Sequence, residues 1–122
     1  MGARPSVDVA RVYDAPDDED GVRVLVDRLW PRGFRKDDAR VGRWLPAVAP
    51  STELRRWYAH QPELFDEFVA RYTAELETEA GAQALDELRG LLADGPVVLV
   101  TATRDVDRSN AAVLRDILTR RA

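Results

Sequence analysis

The beginning of the chain carries two strand patterns separated by a polar segment. Residues 7–13 (VDVARVY) alternate apolar with small or polar side chains, which is typical of a strand with one buried face. Residues 22–26 (VRVLV) are more apolar and predict a second, more buried strand. The polar residues 14–21 between them are too few for the crossover helix that joins parallel neighbours. The two strands therefore form either a hairpin or parts of a sheet without a helix at this point.

Helical patterns occupy the middle of the chain. Ser51 is placed to cap a short helix over residues 53–58, and Pro62 fits the first position of a second helix. The apolar stripe of that second helix has a period of 3.6 residues and comprises Phe65, Phe68, Val69, Tyr72 and Leu76. Gly81 is expected to interrupt the helical pattern, and residues 83–93 predict a third helix with its leucines facing inward.

The last third of the chain predicts a buried strand followed by a helix. Residues 97–102 (VVLVTA) are continuously apolar up to the threonine, as in a strand covered on both faces. The final helix begins near Asn110, with Asp107 or Ser109 as its N-cap. Together these elements predict one α/β domain over residues 1–122, with a small, mostly parallel sheet flanked by helices in a Rossmann-like three-layer arrangement.

Composition narrows the chemistry that this domain can perform. The 122 residues include no cysteine and one histidine, His60. Disulfides, thiolate zinc sites, a cysteine nucleophile and a multi-histidine metal site are therefore excluded, and we expect no metal and no cofactor. No apolar run approaches the roughly 18 residues that span a membrane, and no signal-peptide pattern opens the chain. We therefore expect a cytoplasmic protein without a membrane partner.

The net charge of -4 is distributed unevenly. Residues 22–58 carry nine basic and four acidic side chains, whereas residues 59–94 carry two basic and nine acidic side chains. Proteins that bind long polyanions are normally basic overall, so the composition argues against bulk nucleic-acid binding. A local anion site within the basic segment remains compatible with it.

Two predicted strands end in polar clusters that could meet. Ligands of open α/β sheets bind outside the carboxyl ends of the strands, so the two clusters are expected at one edge. Arg28 and Arg32 would hold an anionic small molecule such as a nucleotide or a phosphate, and Asp27 would orient an arginine or accept a ligand hydroxyl. The other candidate ligand-binding residues are Trp30, Gly33, Thr101, Arg104, Ser109 and Asn110.

Three of these residues, Asp27, Arg28 and Ser109, also have a structural interpretation. Asp27 and Arg28 could form an ion pair that anchors the following loop, and Ser109 could simply cap the last helix.

An enzymatic alternative makes the protein a hydrolase or transferase, with Asp27 or Asp105 as general base and His60 assisting.

The segment after the second strand supports a third hypothesis. Residues 27–43 fit neither the helical nor the strand period, and Pro31 and Gly33 predict a shaped loop. Trp30 and Trp44 alternate with arginines there, so residues 28–44 could form a nucleic-acid or protein-interaction module. The structural alternative is that the two indoles anchor the loop on the core.

Two motifs resemble a known family. VDRLWPRG at residues 26–33 and APSTELR at residues 49–55 resemble the DUF488 family of bacterial proteins, in its short YeaO-like subgroup, and the similarity extends over nearly the whole chain. The resemblance implies an α/β fold and a site near Asp27, but no agreed activity. Similar proteins often carry histidine at the positions of Arg108 and Asn110. Because an arginine cannot shuttle protons near neutral pH, the resemblance weakens the enzymatic hypothesis for this chain.

Overall fold

A computed structural model describes residues 6–14, 21–59 and 61–120. Four strands form one parallel sheet in the order β1-β4-β2-β3: β1 (Val7–Arg11), β2 (Val22–Leu25), β3 (Arg43–Trp44) and β4 (Val97–Thr101). Val97 of β4 is in register with Val7 on one side and with Val22 on the other. The hairpin alternative for the first two strands is therefore wrong, because β4 lies between them and all three run in the same direction. The predicted α/β class with a parallel sheet is confirmed.

Four helices accompany the sheet: α1 (Thr52–Tyr58), α2 (Phe65–Leu76), α3 (Glu79–Asp94) and α4 (Asn110–Arg120). The predicted cap of α1 is confirmed, since the Leu54 amide donates to Ser51 Oγ at 3.1 Å. Pro62 opens a short 3₁₀ turn over Pro62–Leu64, and α2 follows that turn. The proline therefore starts the approach to the second helix rather than the helix itself.

Gly81 has a different role from the predicted one. The helical pattern breaks at residues 77–78, and Gly81 lies inside the first turn of α3, where its amide donates to the cap Thr78 Oγ1 at 3.2 Å. A Cβ atom on Gly81 would stand 2.4 Å from the Glu75 carbonyl oxygen at the end of α2. The glycine thus permits close approach of two helices and does not end a helix.

Apolar side chains cover both faces of the sheet. The larger cluster joins the helices to one face and includes Val24, Leu99, Tyr72, Leu88 and Leu114. The smaller cluster on the other face includes Val12, Leu25, Val41, Val98 and Val100, with Trp30 and Phe34 packed against it. Within the described residues, this second face is covered by the segment after β2 and not by a helix, so the third layer is a loop.

The strand β3 was absent from the sequence-based prediction. It has only two residues, both exposed, at the edge of the sheet. Two residues are too few to show a period, which explains why the pattern of residues 27–43 gave no strand signal. In the part of the chain that the structure describes, no helix has the length and apolarity needed to cross a bilayer.

Candidate functional site

A cleft of about 960 Å³ opens where β2 and β4 end. Its walls come from the loop after β2, from α1, and from the segment that leads from β4 into α4. We call it the arginine cleft because six arginines line it against two aspartates: Arg28, Arg32, Arg55, Arg56, Arg104 and Arg108, with Asp27 and Asp105. The cleft lies at the carboxyl edge of the sheet, and the two polar strand ends meet there.

Asp27 is fixed by donors from β4. Its Oδ1 accepts a hydrogen bond from Thr101 Oγ1 and its Oδ2 accepts one from the Ala102 amide, both at 2.8 Å. Burial raises the pKa of Asp27, while these hydrogen bonds and the positive charge of Arg55 act in the opposite direction. The carboxyl group therefore joins the ends of two neighbouring strands under the cleft.

Arg28 is committed to the backbone of a distant segment. Its Nε donates to the Pro50 carbonyl at 3.0 Å and its Nη2 donates to the Ala49 carbonyl at 3.3 Å. An ion pair between Asp27 and Arg28, one of the alternatives left open by the sequence, does not form, because each side chain has other partners. Arg28 instead connects the VDRLWPRG motif to the APSTELR motif, which holds α1 against the strand end.

Ser109 and Asn110 also serve the fold. Ser109 is the N-cap of α4, since its Oγ accepts from the Ala112 amide at 3.2 Å and donates to the Val106 carbonyl at 2.7 Å. Asp107 lacks this role. Asn110 Nδ2 donates to the Val26 carbonyl at 2.8 Å and so ties α4 to the end of β2. We call Asp27, Arg28, Ser109 and Asn110 the cleft floor.

Four exposed arginines form a different group, which we call the cleft rim: Arg32, Arg55, Arg56 and Arg104. None of their four guanidinium groups makes a hydrogen bond or ion pair with another residue of the ranges 6–14, 21–59 and 61–120. Arg108, by contrast, pairs with Asp105 at 3.0 Å. The rim guanidinium groups therefore keep their donors available at the mouth of the cleft.

The position of α1 is set by a contact from α2. Glu75 accepts hydrogen bonds from both the amide and the hydroxyl of Ser51, at 2.8 and 2.5 Å. At the other end of α1, the Tyr58 hydroxyl donates to the Arg108 carbonyl at 3.0 Å. These contacts hold α1 in a position from which Arg55 and Arg56 line the cleft. Neither is among the residues predicted from the sequence, and their only local signal is an arginine doublet inside the basic segment.

A second cavity adjoins the loop after β2. This groove of about 550 Å³, the indole groove, is lined by Trp30, Phe34, Lys36, Gly42 and Trp44. The two indoles meet edge to face with centroids 5.6 Å apart. Both ring N–H groups are used, since Trp30 donates to the Phe34 carbonyl at 3.0 Å and Trp44 to the Asp27 carbonyl at 2.9 Å. Trp44 remains 41% exposed, and Trp30 lines the arginine cleft as well.

The remaining candidate residues are distributed as follows. Thr101 is buried beneath Asp27 and does not line the cleft. Gly33 has a φ of +87° and lines neither cavity. His60 lies outside the described residues. Among the residues that are described, no group of three or more acidic or histidine side chains could hold a metal ion.

The fold and the cleft define a class: a parallel α/β domain with a basic cleft at the carboxyl edge of its sheet. The chain belongs to the DUF488 family, since a family model described as "Inactive DUF488-N3 subclade" matches residues 6–122. The uncharacterized protein Rv3073c of Mycobacterium tuberculosis is 61% identical over 112 residues, which cover 92% of each chain. The uncharacterized protein YeaO of Escherichia coli is 34% identical over 113 residues, which cover 93% of this chain and 96% of YeaO. No solved structure matches the chain.

Proposed function

We propose that this protein binds an anionic, phosphate-bearing small molecule in the arginine cleft and does not transform it. The observation that carries the proposal is the excess of six arginines over two aspartates in one cleft of a protein whose net charge is -4. Such a local concentration of positive charge raises the concentration of anions at the cleft mouth. A phosphorylated metabolite of the cytoplasm is a ligand of the required charge and size.

The division between rim and floor suits binding. Guanidinium groups with unused donors form bidentate contacts with phosphate oxygens, and the rim supplies four of them at the cleft mouth. The floor residues fix the shape of the cleft, because their polar atoms are already hydrogen-bonded to other elements of the fold. A ligand would therefore meet a preformed cleft with exposed cationic side chains at its mouth.

Binding ranks above the hydrolase or transferase alternative for two reasons. Both carboxyl oxygens of Asp27 accept hydrogen bonds from the fold, and Asp105 is paired with Arg108. Neither carboxylate is thus a ready general base. The description of the matching family model as an inactive subclade agrees with a protein that retains a ligand site without a reaction. His60, the third member of that alternative, lies outside the described residues.

The test is isothermal titration calorimetry of the full chain with inorganic phosphate, pyrophosphate, ribose 5-phosphate, AMP and ATP. We expect at least one of these probes to bind, and we expect the double variant Arg55→Gln/Arg56→Gln to weaken that binding by at least about tenfold. The matched control, Arg89→Gln/Arg115→Gln, removes two arginines that lie outside the cleft and are paired with exposed aspartates. It should change the affinity by less than about twofold.

Two results would overturn the proposal. The first is the absence of binding to every probe by the wild-type chain at low ionic strength. The second is equal weakening in the two double variants, since that would assign the effect to net charge rather than to the cleft. Turnover of a bound probe would favour the enzymatic alternative instead.

A further inference from the structure

The indole groove and the arginine cleft share a wall. Trp30 is the residue common to the two cavities, and its ring contacts Trp44 edge to face. Trp44 is in turn hydrogen-bonded to the backbone of Asp27 in the cleft floor. The two cavities are therefore adjacent, and a molecule held by the rim arginines would reach the groove by extending over Trp30.

The groove surface is preformed and apolar. Both indole N–H groups are occupied by backbone carbonyls, so the rings offer their carbon surfaces to the groove. These hydrogen bonds also fix the ring orientations, and Trp44 stays 41% exposed in that fixed position. Fixed, half-exposed indoles are surfaces on which a planar ring stacks at little cost in side-chain entropy.

Gly42 lines the groove at a point where its backbone lies close to β2. Its φ is +72°, and a Cβ atom there would stand 2.3 Å from the Arg23 carbonyl oxygen. No side chain fits at this position without moving the backbone, so the groove is bounded here by main chain alone. Lys36 adds a positive charge to the lining, which favours a ligand that carries an anion.

We infer that the ligand is a nucleotide-like molecule whose phosphate lies in the arginine cleft and whose planar ring lies in the indole groove. This inference rests on the proposed function and deepens it, because it distinguishes a ring-bearing phosphate from inorganic phosphate or a sugar phosphate. The cleft supplies charge and the groove supplies ring recognition, and Trp30 connects the two.

The tryptophans provide a direct measurement. The chain has three, and Trp57 lies on α1 beneath Arg71, away from both cavities. In a Trp57→Phe background, fluorescence reports on Trp30 and Trp44 alone. We expect AMP to change this fluorescence and to bind at least about fivefold more tightly than ribose 5-phosphate, because stacking adds to phosphate binding.

Variants at Trp44 test the groove itself. Trp44→Ala should lower the AMP affinity to that of ribose 5-phosphate while leaving ribose 5-phosphate binding unchanged, measured by calorimetry. Trp44→Phe retains a ring but loses the hydrogen bond to Asp27, so it should preserve most of the preference for AMP. An unfolded Trp44→Ala chain would be recognised by its circular dichroism, and the comparison would then rest on Trp44→Phe and Trp44→Leu.

The outcomes distinguish a failure of this inference from a failure of the proposed function. Equal binding of AMP and ribose 5-phosphate, both weakened by Arg55→Gln/Arg56→Gln, would overturn the inference and leave the proposed function intact. Absence of binding by all the probes would overturn both. Much tighter binding of a single-stranded oligonucleotide than of AMP would overturn the inference in favour of an interaction module built on residues 28–44.

Discussion

Arg28 and Arg55 both line the arginine cleft, yet their guanidinium groups have different surroundings. Arg28 is partly buried and donates to two carbonyls from a segment more than twenty residues away. Arg55 is exposed, and its guanidinium group makes no hydrogen bond or ion pair within the described ranges. The cleft floor and the cleft rim thus use one kind of side chain for two purposes, to hold elements together and to present charge.

This difference bears on how a site of this kind is organised. A charged group bonded to backbone carbonyls has little rotational freedom and few donors left for a ligand. A guanidinium group on the rim keeps both its rotational freedom and its donors. Residue type alone cannot tell the two apart, because the distinction depends on which carbonyls the fold brings within reach.

The largest expected effect on stability belongs to Arg28. Arg28→Ala leaves the Ala49 and Pro50 carbonyls without their charged donor, so we expect the free energy of unfolding in urea to fall by about 2–3 kcal/mol. Arg28→Lys should recover only part of this loss, since an ammonium group cannot reproduce the two-point guanidinium geometry.

The matched control for the floor is a rim arginine from the same loop. Arg32→Ala removes an exposed guanidinium without a hydrogen bond to any described residue, and we expect its urea midpoint to stay close to that of the wild type. Equal destabilisation by the two substitutions would contradict the division between floor and rim.

Replacing Ser109 should lower stability by less than replacing Arg28, again through the loss of a hydrogen bond to the backbone. Ser109→Ala removes the oxygen that accepts from the Ala112 amide at the start of α4, and we expect a loss of about 1 kcal/mol in urea unfolding. Ser109→Asp keeps an acceptor at the cap and should be less destabilised. If Ser109→Ala instead left stability unchanged but abolished binding of AMP or phosphate, Ser109 would belong to the ligand site rather than to the floor.

The sequence predicts the floor better than the rim, for a physical reason. Asp27, Arg28 and Ser109 lie at the ends of strands or the start of a helix, and such ends are visible in the local pattern. Arg55 and Arg56 enter the cleft only because Glu75 and Arg28 hold α1 across from the strand ends. Those contacts join residues more than twenty positions apart, which no local period records.

The helices and strands show the same limit of local sequence patterns. The helix over 65–76 has a strong 3.6-residue stripe, and its face was predicted correctly. The pattern predicts the helix break at Gly81 and not at residues 77–78, because a glycine that permits helix contact has the same local signal as one that ends a helix. The parallel direction of β1 also depends on β4, more than eighty residues further along the chain.

The smallest expected effect is electrostatic, since the charge of Arg55 on the rim influences the pKa of Asp27 in the floor. Burial raises the pKa of Asp27 above its ordinary value of 3.8, and the charge of Arg55 is one of the influences that limit the rise. Arg55→Gln should therefore move the pKa of Asp27 further upward, without any change in hydrogen bonding. The measurement is an NMR titration of the Asp27 carboxyl carbon, with Arg89→Gln as the control that should leave its midpoint in place.

The sign of the accompanying stability change follows from proton linkage. An Asp27 with a raised pKa binds its proton more tightly in the folded than in the unfolded chain, so its contribution to stability is greatest below pH 3.8. That contribution is lost as the pH rises through the folded-state pKa. Arg55→Gln should shift this loss to higher pH and make it larger at neutral pH, measured by urea unfolding across the range. If the titration midpoint of Asp27 moved downward in Arg55→Gln, or moved equally in Arg89→Gln, the charge of Arg55 would not be what acts on the floor.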